Sequence, residues 1–369
     1  MKMHDVSRRS AMLAQSKTLK RLFELTCEYG GEPAALWLED GNERQYTFWD
    51  YRRLSDDYAA YIAAHAPKGG YVGIALDTCK EWFPTFWGVI RSGHQALLLD
   101  ASLPDERMRR LMDEAGCSTI ITAGRRNLGA GVAQLLAGEL FAAPRALNFQ
   151  PRYGDSVALC TSGTTGQSRV FVYSGEALAE QVLSSRLIYR ENRRLVANAN
   201  RRSLVFLPFH HVLGFVVNLL WCGFLGYANI YPADRRPETI LETARRFQPE
   251  LLVTVPLLAN NLCEALRKKL SRAGRLKRGW FNAMKGLSLG LQSVAPERGL
   301  WLAEKVLFRN VLSQLLGTEL KCVILGGSHT PAEHLRMLNA LGYYTVCGFG
   351  MTETAITSVE LSKSLRKRL

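Results

Sequence analysis

The feature that most constrains this chain is a rhythm. Short, almost wholly apolar runs alternate with stretches of helical period. YVGIAL (71–76), QALLLD (95–100) and STIITA (118–123) are predicted to be strands, with helices over 80–92 and 104–116 between them. The second helix has acidic residues in its first turn and Gly116 at its end. The pattern continues with SLVFLP (203–208), an apolar helix over 212–226, ANIYP, a helix over 238–247, ELLVTV (250–255) and CVILGG (322–327). Strand–helix–strand repetition predicts an α/β fold of layered helices and largely parallel sheets. There is no internal repeat and no low-complexity tract.

At 369 residues the chain has room for two α/β-sized units, and 47% hydrophobic residues suffice for a buried core. Residues 1–17 lack the uninterrupted apolar stretch of a secretory signal and are read as a flexible tail, with the domain proper at 18–369. The most membrane-like run, VLGFVVNLLWCGFLG (212–226), is shorter than the ~20 residues of a span, and Asn218 interrupts it. A buried helix is predicted there. The eight cysteines are scattered without a CxxC pair. They are read as reduced small hydrophobes of a cytoplasmic protein, not as zinc ligands.

The net charge of +14 favours anionic partners: nucleotides, coenzyme A, nucleic acid or an acidic membrane face. No nucleic-acid-binding motif accompanies it, so nucleic acid is not expected. Part of the charge sits in ALRKKLSRAGRLKRGWFNAMKG (265–286), where Lys and Arg alternate with Leu, Trp, Phe and Met. The segment reads either as a solvated pair of basic helices or as an electrostatic dock for a membrane or a phosphate-bearing ligand.

The segment LCTSGTTGQSRVF (159–171) sets a loop of small and hydroxyl residues between two strand-like runs, VALC (157–160) and RVFVY (169–173). Gly163 and Gly166 can take positive φ and let backbone N–H groups approach a phosphate. Thr161, Ser162, Thr164 and Thr165 add hydroxyl donors, and Arg169 adds a charge at the far side. It is not the GxxxxGK[ST] phosphate loop, because that motif is absent and the loop joins two strands instead of opening a helix.

Four further segments follow in order: FLPFHHVLGF (206–215), LLVTVPLLANNL (251–262), VILGGSHTPAEHL (323–335) and CGFGMTET (347–354). This order and spacing resemble the adenylate-forming (AMP-binding) superfamily, whose patterns are TSGTTGxxK, LPxFHxxG, GGAxL and YGMTET. QYTFWDYRRLSDDYAAYI and GHQALLLDASLPDERMRRLMDEAG are similar to earlier segments of the same superfamily. Within it, the basic 265–286 segment and the lead into the Gly-Gly motif look like long-chain fatty acyl-CoA synthetases.

The resemblance implies a two-step chemistry in which a carboxylic acid and ATP form an acyl-adenylate, which then passes its acyl group to a thiol, usually of coenzyme A. Thr161, Ser162, Gly163, Thr164, Thr165 and Gly166 would wrap the phosphates, and Arg169 would stand where the family has Lys. Thr352 would bond the α-phosphate, and Glu353, with Thr164, would hold Mg²⁺. Gly326, Gly327 and Ser328 would line the adenine and acyl pocket, with Phe349, Gly350 and Met351 beside the nucleotide. Phe349 replaces the usual Tyr and keeps an aromatic face without the hydroxyl. His211 aligns with a substrate-pocket histidine, and amino-acid-activating relatives place an Asp there. A fatty or aryl acid is therefore expected in place of an α-amino acid.

The resemblance also implies segments not seen here. The family's β-barrel subdomain and the mobile domain with its adenylation lysine have no counterpart in these residues. The expectation is the nucleotide-binding part of an acyl-CoA synthetase, weakly active or inactive alone, with a non-catalytic nucleotide- or acyl-binding relative as the alternative.

Overall fold

The computed structural model describes residues 3–161, 169–185, 188 and 200–361. The chain divides into two compact units. The first, the N-terminal unit, comprises Lys2–Arg186 and Phe206–Tyr231; the other, the C-terminal unit, holds Leu187–Val205 and Pro232–Leu369, with Met1.

The strands in chain order are β1 (Pro33–Glu39), β2 (Asn42–Thr47), β3 (Tyr71–Ala75), β4 (Gln95–Leu98), β5 (Thr119–Thr122), β6 (Ala133–Leu136), β7 (Ser156–Cys160) and β8 (Val170–Ser174). They continue with β9 (Arg202–Leu204), β10 (Ala228–Tyr231), β11 (Leu251–Thr254), β12 (Cys322–Leu325), β13 (Tyr344–Met351) and β14 (Ala355–Glu360).

In the N-terminal unit a sheet runs in the order β6-β5-β3-β4-β7-β8. Its pairings are parallel except the last, where β8 turns back antiparallel on β7. The same unit pairs β1 parallel to β10 and antiparallel to β2. All four residues of β5 are buried, which explains why the interior strands read as unbroken apolar runs rather than as alternating ones. The helix Phe48–His65 starts at a capping box: Asp50 N donates to Thr47 Oγ1 at 3.1 Å, and Thr47 N donates back to Asp50 Oδ2 at 2.9 Å. It packs closely on the helix Trp82–Arg91, whose Gly88 leaves no room for a side chain beneath Tyr58.

In the C-terminal unit the order is β14-β13-β12-β11-β9. Here β9, β11, β12 and β13 are parallel neighbours, and β14 closes the edge antiparallel to β13. The sequence expectation of an α/β fold with largely parallel sheets is therefore correct, and strand ends move by only one to four residues. The largest trim is at SLVFLP: β9 ends at Leu204, and Leu207 instead gives its carbonyl to the Thr78 hydroxyl at 3.1 Å.

Two local features differ from the sequence reading. The stretch taken as a flexible tail is helical over Met3–Gln15. Val6 and Leu13 are buried, and the Arg9 guanidinium lies 4.3 Å from the Tyr29 ring centre and bonds Glu28 at 3.1 Å. The composition of 1–17 hides this, because its apolar residues are few and their partners lie elsewhere in the chain. The apolar helix over 212–226 is present and buried, but Gly214–Trp221 winds as a π-helix. No helix among the described residues is long and apolar enough to cross a membrane.

Candidate functional site

In the N-terminal unit the candidate residues gather past the C-terminal ends of adjacent strands. Leu98 of β4 pairs with Leu159 of β7, and Asp100 and Thr161 each stand two residues beyond that pair. The hydroxyl-rich loop leaves β7 through a closed neck: Thr161 N donates to Arg169 O at 3.0 Å, and Arg169 N donates to Thr161 Oγ1 at 3.0 Å. The expected strand–loop–strand arrangement is thus present, with Arg169 exposed at the far side. Ser162, Gly163, Thr164, Thr165 and Gly166 lie outside the described residues. Burial pushes the Cys160 thiol, just before the neck, up to about 12, so it stays protonated at neutral pH.

FLPFHHVLGF is fastened to the same strand ends. Thr78, three residues past β3, accepts from Phe209 N at 3.2 Å while donating to Leu207 O. His211 N then closes a turn on Pro208 O at 3.2 Å, and Phe215 N reaches His211 O at 2.9 Å to start the helix. Gly214 is required here, since any side chain would collide with the Pro208 carbonyl. The turn leaves His211 exposed and sets its ring tilted against that of the partly buried His210, with ring centres 4.2 Å apart.

His210 Nε2 lies 3.7 Å from Asp100 Oδ2. Partial burial works against the Asp100 carboxylate. Two bonds from Ser102 and the nearby histidines outweigh it, and the net effect holds the group below its ordinary 3.8. Asp100 and Thr78 were not singled out from sequence. Asp100 lies inside GHQALLLDASLPDERMRRLMDEAG, a segment similar to the family's, whereas nothing in the sequence pattern marks Thr78.

In the C-terminal unit the arrangement is again at parallel strand ends. Because Leu325 of β12 pairs with Cys347 of β13, Gly326 and Gly327 run out beside Gly348 and Phe349. Gly326 N bonds Thr254 O at 3.1 Å, which ties the Gly-Gly motif to the end of β11. Gly327 takes φ +94°, a conformation that favours glycine, and it and Ser328 are exposed. The Phe349 ring is 54% exposed, a free face for a planar ligand.

The Thr-Glu-Thr sequence forms the β13–β14 hairpin turn, with Thr354 N bonded to Met351 O at 3.2 Å. Ala355 has φ +54°, unusual for a residue with a side chain. A side chain at Gly350 would run into the Ala355 carbonyl. This crowding carries the chain round within three residues and leaves Glu353 exposed at the tip, with Thr352 half-buried beside it.

The fit of the residues to Mg²⁺ rests on that lone carboxylate. Among the described residues there is no group of three or more His, Cys, Asp or Glu side chains able to cage a metal. A single exposed carboxylate suits an ion that arrives on a triphosphate and keeps several waters.

An α/β frame with Gly-rich and hydroxyl-rich motifs at parallel strand ends is an arrangement that many phosphate- and nucleotide-binding proteins share. More particularly, residues 23–368 match the family described as AMP-binding enzyme, and the chain belongs to it. Long-chain-fatty-acid–CoA ligase 1 of Schizosaccharomyces pombe is 26% identical over 161 residues, covering 42% of this chain and 24% of that protein. Bacitracin synthase 3 of Bacillus licheniformis is 26% identical over 186 residues, covering 49% of this chain and 3% of that protein. The chain therefore matches only a small part of these relatives. Among solved structures, the o-succinylbenzoate CoA synthetase (MenE) of Bacillus subtilis in complex with the acyl-adenylate intermediate OSB-AMP aligns with a TM-score of 0.67 at 17% identity. The alignment covers 90% of this chain and 59% of that one, a likeness of fold.

Proposed function

We propose that this chain carries the nucleotide-binding part of an enzyme that activates a carboxylic acid with ATP, and that the acid is a fatty acid. The observation that carries the reading is the β13–β14 turn, where backbone crowding presents Thr352 and Glu353 at the tip of the hairpin that β13 forms beyond its pairing with β12. In the first step a carboxylate oxygen attacks the α-phosphorus of ATP, and the bond to pyrophosphate breaks. In the second, a thiolate, in our reading that of coenzyme A, attacks the acyl carbon and AMP leaves. Such chemistry asks the protein mainly for positioning and for charge to meet the phosphates.

Thr161, Arg169 and the intervening loop would bind the β- and γ-phosphates, Thr352 the α-phosphate, and Phe349 the adenine face. Glu353, with Thr164, would hold Mg²⁺, which supplies positive charge to the phosphate oxygens. His211, with no acidic residue in its place, would face the acyl group. The Schizosaccharomyces pombe ligase supports the fatty acid, and the bacitracin synthase keeps amino acids as the competing substrate class.

The test is calorimetric titration of MgATP and AMP into folded protein, followed by acid-dependent pyrophosphate release across fatty, aryl and α-amino acids. Binding of both nucleotides, with the greatest release from fatty acids, is the expected result. A folded sample that binds neither nucleotide sinks the proposal. Stimulation by α-amino acids alone moves the substrate class, and binding without any release favours a non-catalytic module.

A further inference from the structure

The helix Arg275–Val294 has two apolar faces. One is spent: Phe281, Met284, Ser288 and Gln292 are buried, with Ser288 Oγ donating to Ala340 O and Gln292 Nε2 to Asn339 O, both at 2.8 Å. The other is bare. Leu276, Trp280, Leu287 and Val294 are 90%, 67%, 56% and 85% exposed, and exposed Ala283 falls between them. Steps of four, three, four and seven residues put all five on one stripe of the helix. It extends for about 27 Å at 1.5 Å per residue.

The charge around this stripe is one-sided. No Asp or Glu occurs between Glu264 and Glu297, while the same stretch carries eight Lys and Arg. Arg267 is paired with Glu333 at 2.9 Å and Lys269 with Gln314 at 2.7 Å. Lys268, Arg272, Arg275, Lys277 and Arg278 make no side-chain hydrogen bond or ion pair among the described residues and are exposed. Arg275 and Lys277 stand about 100° to either side of Leu276 at the start of the stripe, and Lys268 and Arg272 lie at the end of the preceding helix, Pro256–Ser271.

We propose that this helix is an interfacial anchor that lies on an anionic lipid surface, with its bare stripe in the headgroup–acyl boundary and its cations on lipid phosphates. Leu and Val can enter the acyl edge, and Trp280 suits the headgroup level. The long Lys and Arg side chains can reach outward to phosphate. Charge complementarity selects the occupant. A second copy would bring the same uncompensated cations face to face, whereas an anionic membrane supplies a flat sheet of countercharge. The inference concerns where the protein sits and does not depend on which acid it activates.

The experiment is co-sedimentation of the chain with phosphatidylcholine vesicles, with and without phosphatidylglycerol, at low and physiological salt. Binding should require the anionic lipid and weaken with salt. It should fall by at least about tenfold in either Leu276→Gln/Trp280→Gln/Leu287→Gln or Arg275→Gln/Lys277→Gln/Arg278→Gln. The emission lost in Trp280→Phe should shift to the blue on vesicle addition. Melting temperatures should hold, since every position is exposed; should the apolar triple melt early, Trp280→Gln alone carries the same readout. No binding to anionic vesicles overturns the proposal, as does binding that the apolar substitutions leave intact. A lipid-free dimer that the apolar triple converts to monomer also overturns it in favour of a protein partner.

Discussion

Two antiparallel strand pairs, one in each unit, end a mainly parallel sheet at its edge, and each has a polar motif in the sequence between its strands. β7 and β8 are joined through the neck of Thr161 and Arg169, with residues 162–168 between, whereas β13 and β14 turn within Thr352–Thr354. The longer connection is marked by composition alone: its glycines and hydroxyls make it a collection of small donors whichever residue contacts the ligand. The tight turn is defined by collision, because Gly350 and Ala355 leave the backbone one way round. A longer connection can offer many backbone N–H groups to several phosphate oxygens. A tight turn fixes one carboxylate, which suits a single cation.

The sharpest way to break this contrast is Gly350→Val. A side chain there meets the backbone carbonyl of Ala355, which cannot give way as a side chain could. A loss of about 2–3 kcal/mol in denaturant unfolding is expected, with nucleotide binding abolished. If Gly350→Val melts like the parent, the turn is not sterically determined.

The same change in the longer connection should cost the fold less. Gly166→Val is expected to abolish nucleotide binding at a stability cost of at most about 1–2 kcal/mol, the strain a side chain meets when a glycine position calls for positive φ. Affinity and melting temperature measured on one sample separate the two effects, and unchanged affinity returns the loop to an ordinary connection.

Glu353→Gln keeps size and hydrogen bonding and removes the charge at an exposed position, so the fold should hold. MgATP affinity should fall by about tenfold, the effect of a lost charged contact of about 1.4 kcal/mol, while AMP affinity changes less. Titrations with and without Mg²⁺ decide it. An intact magnesium dependence removes Glu353 from the metal.

The smallest effect belongs to Asp100. Its folded-state carboxyl sits below the ordinary 3.8, so its ionised form stabilises the fold at pH values above that figure. That stabilisation is lost as pH falls through the lower folded-state value. Asp100→Asn should therefore be slightly less stable than the parent near neutrality and indistinguishable from it in strong acid. Unfolding curves across pH check the sign, and a gap that widens in acid contradicts it.

Much of this was legible in the chain, for a physical reason that differs by element. β3, β4, β5, β11 and β12 are interior parallel strands, and burial on both faces writes them as short apolar runs. The motif residues were legible because Gly and Thr-Glu-Thr are costly or unusual where no ligand or turn needs them. Met3–Gln15 was not legible, because part of what the helix packs on, the helix Gly175–Ser184, lies far along the chain. The π-helical winding of Gly214–Trp221 was not legible either, in a run so apolar that its period says nothing about register.

The sequence by itself determined the α/β class, the order of the motifs and their family. These depend on local periodicity and on residue types whose chemistry does not wait for a fold. Only the tertiary structure decided that Thr78 holds FLPFHHVLGF at Leu207 and Phe209, and that Asp100 stands beside His210. It alone showed that one stripe of Arg275–Val294 is bare while its other face is packed. Each of these is a contact, or the lack of one, between residues distant in the chain. Such relations arise from how strands are ordered in a sheet and which helix face meets it, information that is not written at any single position.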